Sequence, residues 1–278
     1  MWIKSRPYVS IGAVFFFKRG EGMKEIMNIK KNIPSFIFLS IFLLLWEIIG
    51  KIRDMPEYIL PLPSSIAGAL CKNFNLLLVH SKYTIMAALS GLLVAIILAI
   101  IISFFMDRYQ IVKRTIYPLL VISQTIPIIA LAPLMMIWFG LGIIPKIFTV
   151  TLVCFFPLTI NITEGLGESS KEEIELLEVM GASPWEIFKN VQVPSTLPNF
   201  FSGLKISATY SVMGAVIGEW LGGNKGLGVY MIRSMHTYNV SNLFAGIITI
   251  VFLSIILFKV TELLSWLSMP WNRKEENI

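Results

Sequence analysis

Long apolar stretches separated by short polar segments run along most of this chain. A helix needs about 20 consecutive apolar residues to cross the hydrocarbon core of a bilayer, so each long stretch is a candidate span. The stretches lie at about 33–50, 84–106, 116–139, 144–163, 201–221 and 242–264. The pattern predicts an all-α integral membrane protein with six transmembrane helices.

The composition agrees with a membrane protein. Of the 278 residues, 55% are hydrophobic and only 14% are charged, whereas soluble domains carry roughly 25% charged residues. The net charge of +6 is attributed to membrane topology and not to nucleic-acid binding, because Lys and Arg gather in cytoplasmic segments. With the N-terminus inside, the inner segments hold 14 Lys and Arg and the outer ones 7. This bias predicts a multi-pass plasma-membrane protein with both termini in the cytoplasm.

The terminal segments, 1–32 and 271–278, are accordingly predicted to be cytoplasmic. An apolar core at residues 11–17 is too short to span, and no small-residue cleavage site follows it. Two interpretations of this N-terminal region remain open: a translation start at Met23 or Met27, or a weak interfacial anchor. Without residues 1–22 the charge bias falls to 10 against 7.

The outward segments carry three further expectations. Residues 51–83 are predicted to form an outward loop that contains a short interfacial helix at about 64–78. His80 and His236 are single and are expected to be solvated in outward loops. The glycine-rich stretch Gly222–Gly228 lacks the spacing of a phosphate-binding loop and is interpreted as a flexible outward turn.

Reactive and ligand-binding sites are not indicated. Cys71 and Cys154 lie far apart without metal-ligand spacing, so both are predicted to be free thiols. The chain has no GxxxxGK[ST] loop, which excludes ATP binding by that route. No catalytic constellation is found, so the chain is not predicted to be an enzyme or to bind a cofactor or a metal itself.

Small residues recur along one face of two spans. They are Ala87, Gly91, Ala95, Ala99 and Ser103 on the second span and Ser207, Ser211, Gly214, Gly218 and Gly222 on the fifth. Such ridges let helix backbones pack closely in lipid, where no hydrophobic force favours helix contact. We predict that these are packing positions, with the glycines of the fifth span also candidates for a dimer interface.

The third span is rich in proline. Gln124 and Thr125 come just before Pro127, and Pro133 follows. Each proline removes a backbone hydrogen bond, and freed carbonyls at membrane depth are tolerated where they are buried or line a cavity. These four residues are predicted to line or gate a translocation path, with an ordinary kinked packing helix as the alternative.

Glu219 lies near the outer end of the fifth span. An acid there is costly and usually functional or paired. It is a candidate for the path or its gate. The alternative is that it reaches water at the interface or pairs with Lys225 or Arg233.

The stretch Lys171–Gly203 is a charged insert between the fourth and fifth spans and is predicted to lie at the surface. Ser170 with Glu173, and Ser183 with Glu186, match the spacing of a capping box, and Gly181 supplies a helix stop. Two short amphipathic helices follow, the second from Pro184 to about Gln192. Such a hairpin either packs back on its own spans or inserts into a groove of a partner.

This insert resembles the cytoplasmic motif of ABC importer permeases, written EAA, three residues, Gly, nine residues, Ile-x-Leu-Pro. Glu175-Leu176-Leu177 occupies the EAA place, Gly181 the glycine, and Val191-Gln192-Val193-Pro194 the end, with matching spacing. Both alanines are leucine here, and Ile and Leu are Val. The resemblance extends over about residues 33–270 and implies the MetI-like permease fold, with residues 168–200 as the coupling loop.

The resemblance also implies roles and partners. Two copies of the permease, as a homodimer, would work with two ATPase subunits that use ATP and with an extracytoplasmic binding protein or lipoprotein. The residues implied in ATPase coupling are Glu175, Leu176, Leu177, Gly181, Ala182, Ser183, Trp185, Val191 and Pro194.

The stretches Pro56–Pro61, Gln124–Pro127, Trp138–Gly140 and Gly214–Gly222 are most similar to permeases for thiamine pyrimidine precursors, of hydroxymethylpyrimidine or formylaminopyrimidine type. Sulfonate, taurine and nitrate permeases are the alternatives within the same branch.

An ion-coupled secondary transporter is the remote alternative. Glu219 is the sole candidate intramembrane carboxylate for such a mechanism, and no inverted repeat is evident in the sequence.

Overall fold

A computed structural model describes residues 29–273, with side chains over 33–271 apart from Lys171. The expectations for the N-terminal segment and for most of the C-terminal tail therefore lie outside the described residues. The helices are α1 (Ile29–Ile52), α2 (Pro63–Lys72), α3 (Phe74–Arg108), α4 (Gln110–Ser123), α5 (Ile128–Phe139), α6 (Ile144–Gly167), α7 (Lys171–Val179), α8 (Pro184–Ile187), α9 (Val193–Gly222), α10 (Leu227–His236) and α11 (Val240–Ser268). The predicted all-α class is confirmed for this part of the chain.

The long apolar helices account for the predicted spans. Five helical stretches are long and apolar enough to cross a membrane, and α4 and α5 together make a sixth if they count as one span. These two helices meet at a bend of 102° between Ser123 and Ile128. The third span is therefore broken at the Gln124–Pro127 segment.

The predicted interfacial helix at about 64–78 is wrong in its C-terminal half. Helix α2 ends at Lys72, and α3 begins at Phe74 and continues without a break to Arg108. Asn73 separates the two helices, and its side-chain Nδ2 donates to Asn242 Oδ1 at 2.9 Å, which ties the corner to α11. As a result, the outer turns of α3 include residues that hydropathy had placed in a loop.

The predicted end of the second hairpin helix before Pro194 is also wrong. A π-helical turn, Phe188–Gln192, joins α8 to α9, so the chain is helical without interruption from Pro184 to Gly222. The amide of Val193 donates to the carbonyl of Phe188, five residues back. Pro194 comes just after this π-helical turn, whose altered hydrogen-bond pattern lets the continuous helix accommodate the missing N–H.

Helix α6 forms the centre of the fold, packed between α3 and α9. The hydroxyl of Ser103 donates to the carbonyl of Thr159 at 3.1 Å, which joins α3 to α6. On the other side, Ser207 Oγ donates to the Cys154 carbonyl at 3.0 Å, while Cys154 Sγ donates to the Ser207 carbonyl at 3.2 Å. Polar side chains thus satisfy one another and nearby carbonyls inside the helix bundle, as a lipid environment requires.

The small-residue ridges of α3 and α9 let these helices pack closely against α6. The five members on α3 are all buried. A Cβ on Gly214 would lie 3.1 Å from Val150 Cα, and one on Gly218 would lie 3.0 Å from Lys146 Cα. A Cβ on Gly91 would overlap Val150, and one on Gly222 would overlap Met136. The glycines of both ridges therefore pack within one chain.

Candidate functional site

The first helix of the Lys171–Gln192 segment, hereafter the hairpin, has defined ends. Ser170 Oγ accepts the amide of Glu173 at 3.2 Å at the start of α7. At its end, the amide of Gly181 donates to the Glu178 carbonyl and the amide of Ala182 to the Leu177 carbonyl, both at 3.0 Å. This pair of bonds is a Schellman motif, and it places Gly181 at φ +83°, a conformation that favours glycine.

The second helix begins with a complete capping box. The amide of Ser183 donates to Glu186 Oε2 at 2.7 Å, and the amide of Glu186 donates to Ser183 Oγ at 3.4 Å. Pro184 occupies the first turn, where a missing amide hydrogen leaves no bond unmade. The two helices are therefore joined by a corner with little freedom.

One side of the hairpin packs on the chain's own spans. Ile187 is 6% exposed, and Phe188 stacks on Trp185 and meets Phe104 of α3 edge-on at 5.6 Å between ring centres. Ser169 and Ser195 also share a hydrogen bond of 2.9 Å across the base of the hairpin. The hairpin is thus anchored to the membrane helices.

The other side of the hairpin carries uncovered apolar side chains, which we call the docking patch. Its members are Leu176, Val179, Met180 and Trp185, exposed by 60%, 87%, 73% and 67%. Both interpretations of the hairpin therefore describe one part of it, since it packs on its own spans and also exposes an apolar surface.

The other residues implied in ATPase coupling lie on or behind this surface. Glu175, Gly181 and Ser183 are exposed, while Leu177, Ala182, Val191 and Pro194 are half-buried. Eight of these nine positions lie in the hairpin, and Pro194 follows it, in the first turn of α9.

The four path residues lie at the broken third span. Gln124, Thr125, Pro127 and Pro133 are all exposed on the surface of the single chain. Thr125 Oγ1 and the backbone amide of Thr125 both donate to the Ile122 carbonyl, at 2.7 and 3.0 Å. A break with exposed polar backbone at membrane depth requires a cavity or a protein neighbour.

Glu219 lies apart from that break and is buried, with 1% of its surface exposed. Its carboxylate accepts the hydroxyl of Thr84 on α3, at 3.0 and 3.1 Å to its two oxygens, and the amide of Gly228 at 2.9 Å. It neither reaches water nor forms an ion pair with Lys225 or Arg233. Both alternatives predicted from the sequence for this residue are therefore wrong.

Side chains hold five consecutive backbone residues at the turn and at the start of α10. The side chains of Arg233, Lys146, His80, Thr84 and Glu219 bind, in order, the backbone of Asn224, Lys225, Gly226, Leu227 and Gly228. The expectation of a flexible outward turn is therefore wrong, because side chains from α3, α6, α9 and α10 all fix its backbone.

The expectation of a solvated His80 is wrong for the same reason. Its ring is 6% exposed, and Nδ1 lies 3.0 Å from the amide nitrogen and 2.7 Å from the carbonyl oxygen of Gly226. Sequence reasoning also missed Thr84 and Lys146. The available signal was His80 and Thr84 four residues apart, on one face of what proves to be α3.

Comparison with known proteins identifies the relatives of this arrangement. The family model described as "Binding-protein-dependent transport system inner membrane component" matches residues 91–270. The formylaminopyrimidine transport permease protein ThiX of Halalkalibacterium halodurans is 38% identical over 243 residues, covering 87% of this chain and 96% of that protein.

Two further similarities bear on substrate and fold. The riboflavin transport system permease protein RibX of Chloroflexus aurantiacus is 30% identical, covering 84% of this chain and 88% of that protein. A chain of the methionine ABC transporter MetNI, solved in inward-facing conformations, superposes with a TM-score of 0.52 at 19% identity, covering 66% of this chain and 90% of that chain. The second similarity concerns the fold alone.

Proposed function

This chain belongs to the family of binding-protein-dependent transport system inner membrane components and is the permease subunit of an ABC importer; we propose that ATPase subunits drive it through the hairpin. The observation that carries the proposal is the docking patch. Four large apolar side chains are exposed on a capped hairpin that is itself anchored to α3. An apolar patch rimmed by charged residues is typical of a protein interaction site.

The family gives the partners in general terms, as ATPases and a substrate-binding protein. The finer assembly that we propose has two copies of this chain, two ATPase subunits on the cytoplasmic side and one binding protein outside. ATP is bound and hydrolysed by the ATPase subunits, and this chain needs no cofactor of its own. Both termini and the hairpin lie in the cytoplasm, as the Lys and Arg distribution supports.

We propose a pyrimidine precursor of thiamine as the solute. Support comes from the identity of 38% over 96% of the formylaminopyrimidine permease, against 30% for the riboflavin permease. A relative named for aliphatic sulfonate transport, SsuC of Bacillus subtilis, is 27% identical.

The broken third span is proposed to line or gate the path, through Gln124, Thr125, Pro127 and Pro133. The exposed backbone at this break needs a cavity or a neighbouring subunit.

The coupling proposal is tested with Val179→Asp. Val179 is 87% exposed, so the substitution leaves the fold of the single chain unchanged, but it places a carboxylate in the proposed interface. We expect the ATPase no longer to co-purify with the variant and uptake to be lost.

The matched control is Tyr238→Asp, which adds the same charge at a 76% exposed position of the outer segment after α10. It should keep the ATPase. Equal ATPase recovery with both variants would remove the hairpin as the docking site.

The solute is tested by uptake into a strain that requires the pyrimidine half of thiamine. Cells that express this chain with its ATPase and binding protein should grow on formylaminopyrimidine, and an excess of riboflavin or of an alkanesulfonate should not compete. Competition by either compound would reassign the solute while leaving the ABC importer function in place.

A further inference from the structure

We propose that Glu219 is a positioning residue for transport, which fastens the outer segment Gly223–His236 to α9 so that movement of the hairpin reaches the outer face. The proposal rests on the importer function above. Neither the docking patch nor the broken third span explains the buried Glu219 carboxylate or the fixed turn before α10. The proposal gives both of them a role.

The first observation is the length of one uninterrupted helix. From Pro184 in the hairpin to Gly222 the chain is helical over 39 residues, through a π-helical turn and past Pro194 and Pro198. At 1.5 Å per residue, such a helix is roughly 58 Å long, enough to connect the two membrane faces. The second half of the hairpin and the outer end of α9 are therefore parts of one continuous helix, which we call the rod.

The second observation is what the outer end of that rod holds. Glu219 accepts the amide of Gly228, in the first turn of α10, whose N–H groups have no partner within their own helix. A carboxylate is favoured at such a helix start, because the peptide dipoles place positive charge there. Glu219 is thus a cap for α10 supplied by α9, nine residues earlier in the chain.

The third observation is that Thr84 of α3 takes part in the same contact between Glu219 and the start of α10, which we call the joint. Its single hydroxyl donates to the Glu219 carboxylate and accepts the amide of Leu227 at 2.9 Å. His80, one turn earlier, binds Gly226, and its ring lies 5.7 Å from that of Tyr230 on α10. The outer segment is therefore fixed to both α3 and α9.

The backbone of the outer segment approaches α9 so closely at two glycines that a side chain would not fit. Gly226 has φ +130°, and a Cβ there would overlap the Glu219 carboxylate. A Cβ on Gly228 would lie 2.6 Å from the Val216 carbonyl of α9. Since α6 also binds α3 and α9 along their length, these three helices and the outer segment form one body that includes the rod.

The test uses Glu219→Gln and Thr84→Val, with Thr84→Ser as the matched control because it keeps the hydroxyl. Each variant is reconstituted with ATPase and binding protein, and uptake of labelled formylaminopyrimidine is divided by the ATP hydrolysed. Loss of a hydrogen bond to a charged group should lower this ratio by about tenfold or more in the first two variants. Basal ATP hydrolysis should stay within about twofold of wild type, and the serine control should match wild type.

A second readout needs neither solute nor ATPase. Spin labels at Met235→Cys on α10 and Lys189→Cys in the hairpin report whether the two ends form one body. The Cys71→Ser background leaves Cys154 as the sole native cysteine, and it is 0% exposed. The distance distribution should be narrow in the wild-type background and broad with Glu219→Gln or Thr84→Val.

Two results would overturn the proposal. One is an unchanged distance distribution or an unchanged uptake ratio in both variants. The other is uptake and ATP hydrolysis falling in proportion with thermal stability, which would make the joint a structural support only. If instead the wild-type chain failed to bind the ATPase, the proposed function would fail, while the distance measurement would still decide whether Glu219 fastens the outer segment.

Discussion

Gly226 occupies a position that no other residue type fits. Its φ of +130° lies outside the range that side chains favour, and the space where a Cβ would stand is filled by the Glu219 carboxylate. Gly181 also has a positive φ, of +83°, but a Cβ there meets nothing within 4 Å. Conformation alone demands glycine in the hairpin, whereas conformation and space together demand it in the outer turn.

Replacing Gly226 by Ala should therefore destabilise the protein strongly. The backbone strain alone costs about 1–3 kcal/mol, and relief of the overlap requires Glu219 to leave its hydrogen bonds. The thermal unfolding midpoint in detergent should fall clearly. Gly68→Ala is the control, because this exposed helical glycine has free space around it, and alanine should stabilise its helix by about 0.5–1 kcal/mol. Equal midpoints for the two variants would contradict this account of Gly226.

Local and distant side-chain contacts differed in how far sequence could predict them. Ser183 and Glu186 form the predicted capping box because the motif needs only residues three positions apart. The bond between Thr84 and Glu219 joins residues 135 positions apart, and no local pattern encodes it. An acidic residue in an apolar stretch indicates that a hydrogen-bond or charge partner is needed. Which side chain is that partner depends on the fold.

The pair α4 and α5 illustrates how an element boundary depends on proline. The bend of 102° falls at Gln124–Pro127, where sequence predicted distortion, but a mild kink and a full break share the same proline pattern. The reverse occurs at Pro194, where a π-helical turn absorbs the proline and the helix continues. Proline thus marks a distortion at both positions, but the proline pattern alone does not distinguish a bend from a continuous helix.

If the break lines the translocation path, a cysteine there should be reachable from water. Gln124→Cys in the Cys71→Ser background should react with a small, water-soluble thiol reagent in the assembled importer. Leu44→Cys is the matched control, since Leu44 is 61% exposed in the middle of α1, a helix that is scarcely buried and is expected to face lipid. A Gln124→Cys variant as unreactive as the control would argue for a packing role of the break.

The whole molecule is a bundle centred on α6, with a peripheral α1 and a hairpin on one side of the membrane. The order of the spans and the all-α class followed from hydropathy, because the hydrophobic length of a bilayer is a strong constraint on sequence. Which helix lies at the centre did not follow. The small-residue ridges of α3 and α9 showed where helices approach, but not that both face Val150 and its neighbours on α6.

The orientation of this bundle can be measured directly. Val179→Cys in the hairpin and Tyr58→Cys in the outer loop are both well exposed, at positions that were 87% and 59% accessible. Both variants are made in the Cys71→Ser background, because native Cys71 is exposed. In intact cells that express the chain without its ATPase, a membrane-impermeant reagent should label the Tyr58 variant only. The Val179 variant should become reactive after permeabilisation. Labelling in the opposite order would invert the proposed topology.

The unbroken helix from Pro184 to Gly222 has a consequence for engineering hybrid importers. An exchange of hairpins between permeases, made to change which ATPase is recruited, meets a turn at 168–170 on one side but must join a continuous helix on the other. Each residue added or removed at the splice turns the hairpin by about 100° around the helix axis relative to the spans. Functional chimeras of this chain should therefore tolerate many hairpin sequences but few hairpin lengths, and the π-helical turn at Phe188–Gln192 is the position best able to absorb one extra residue.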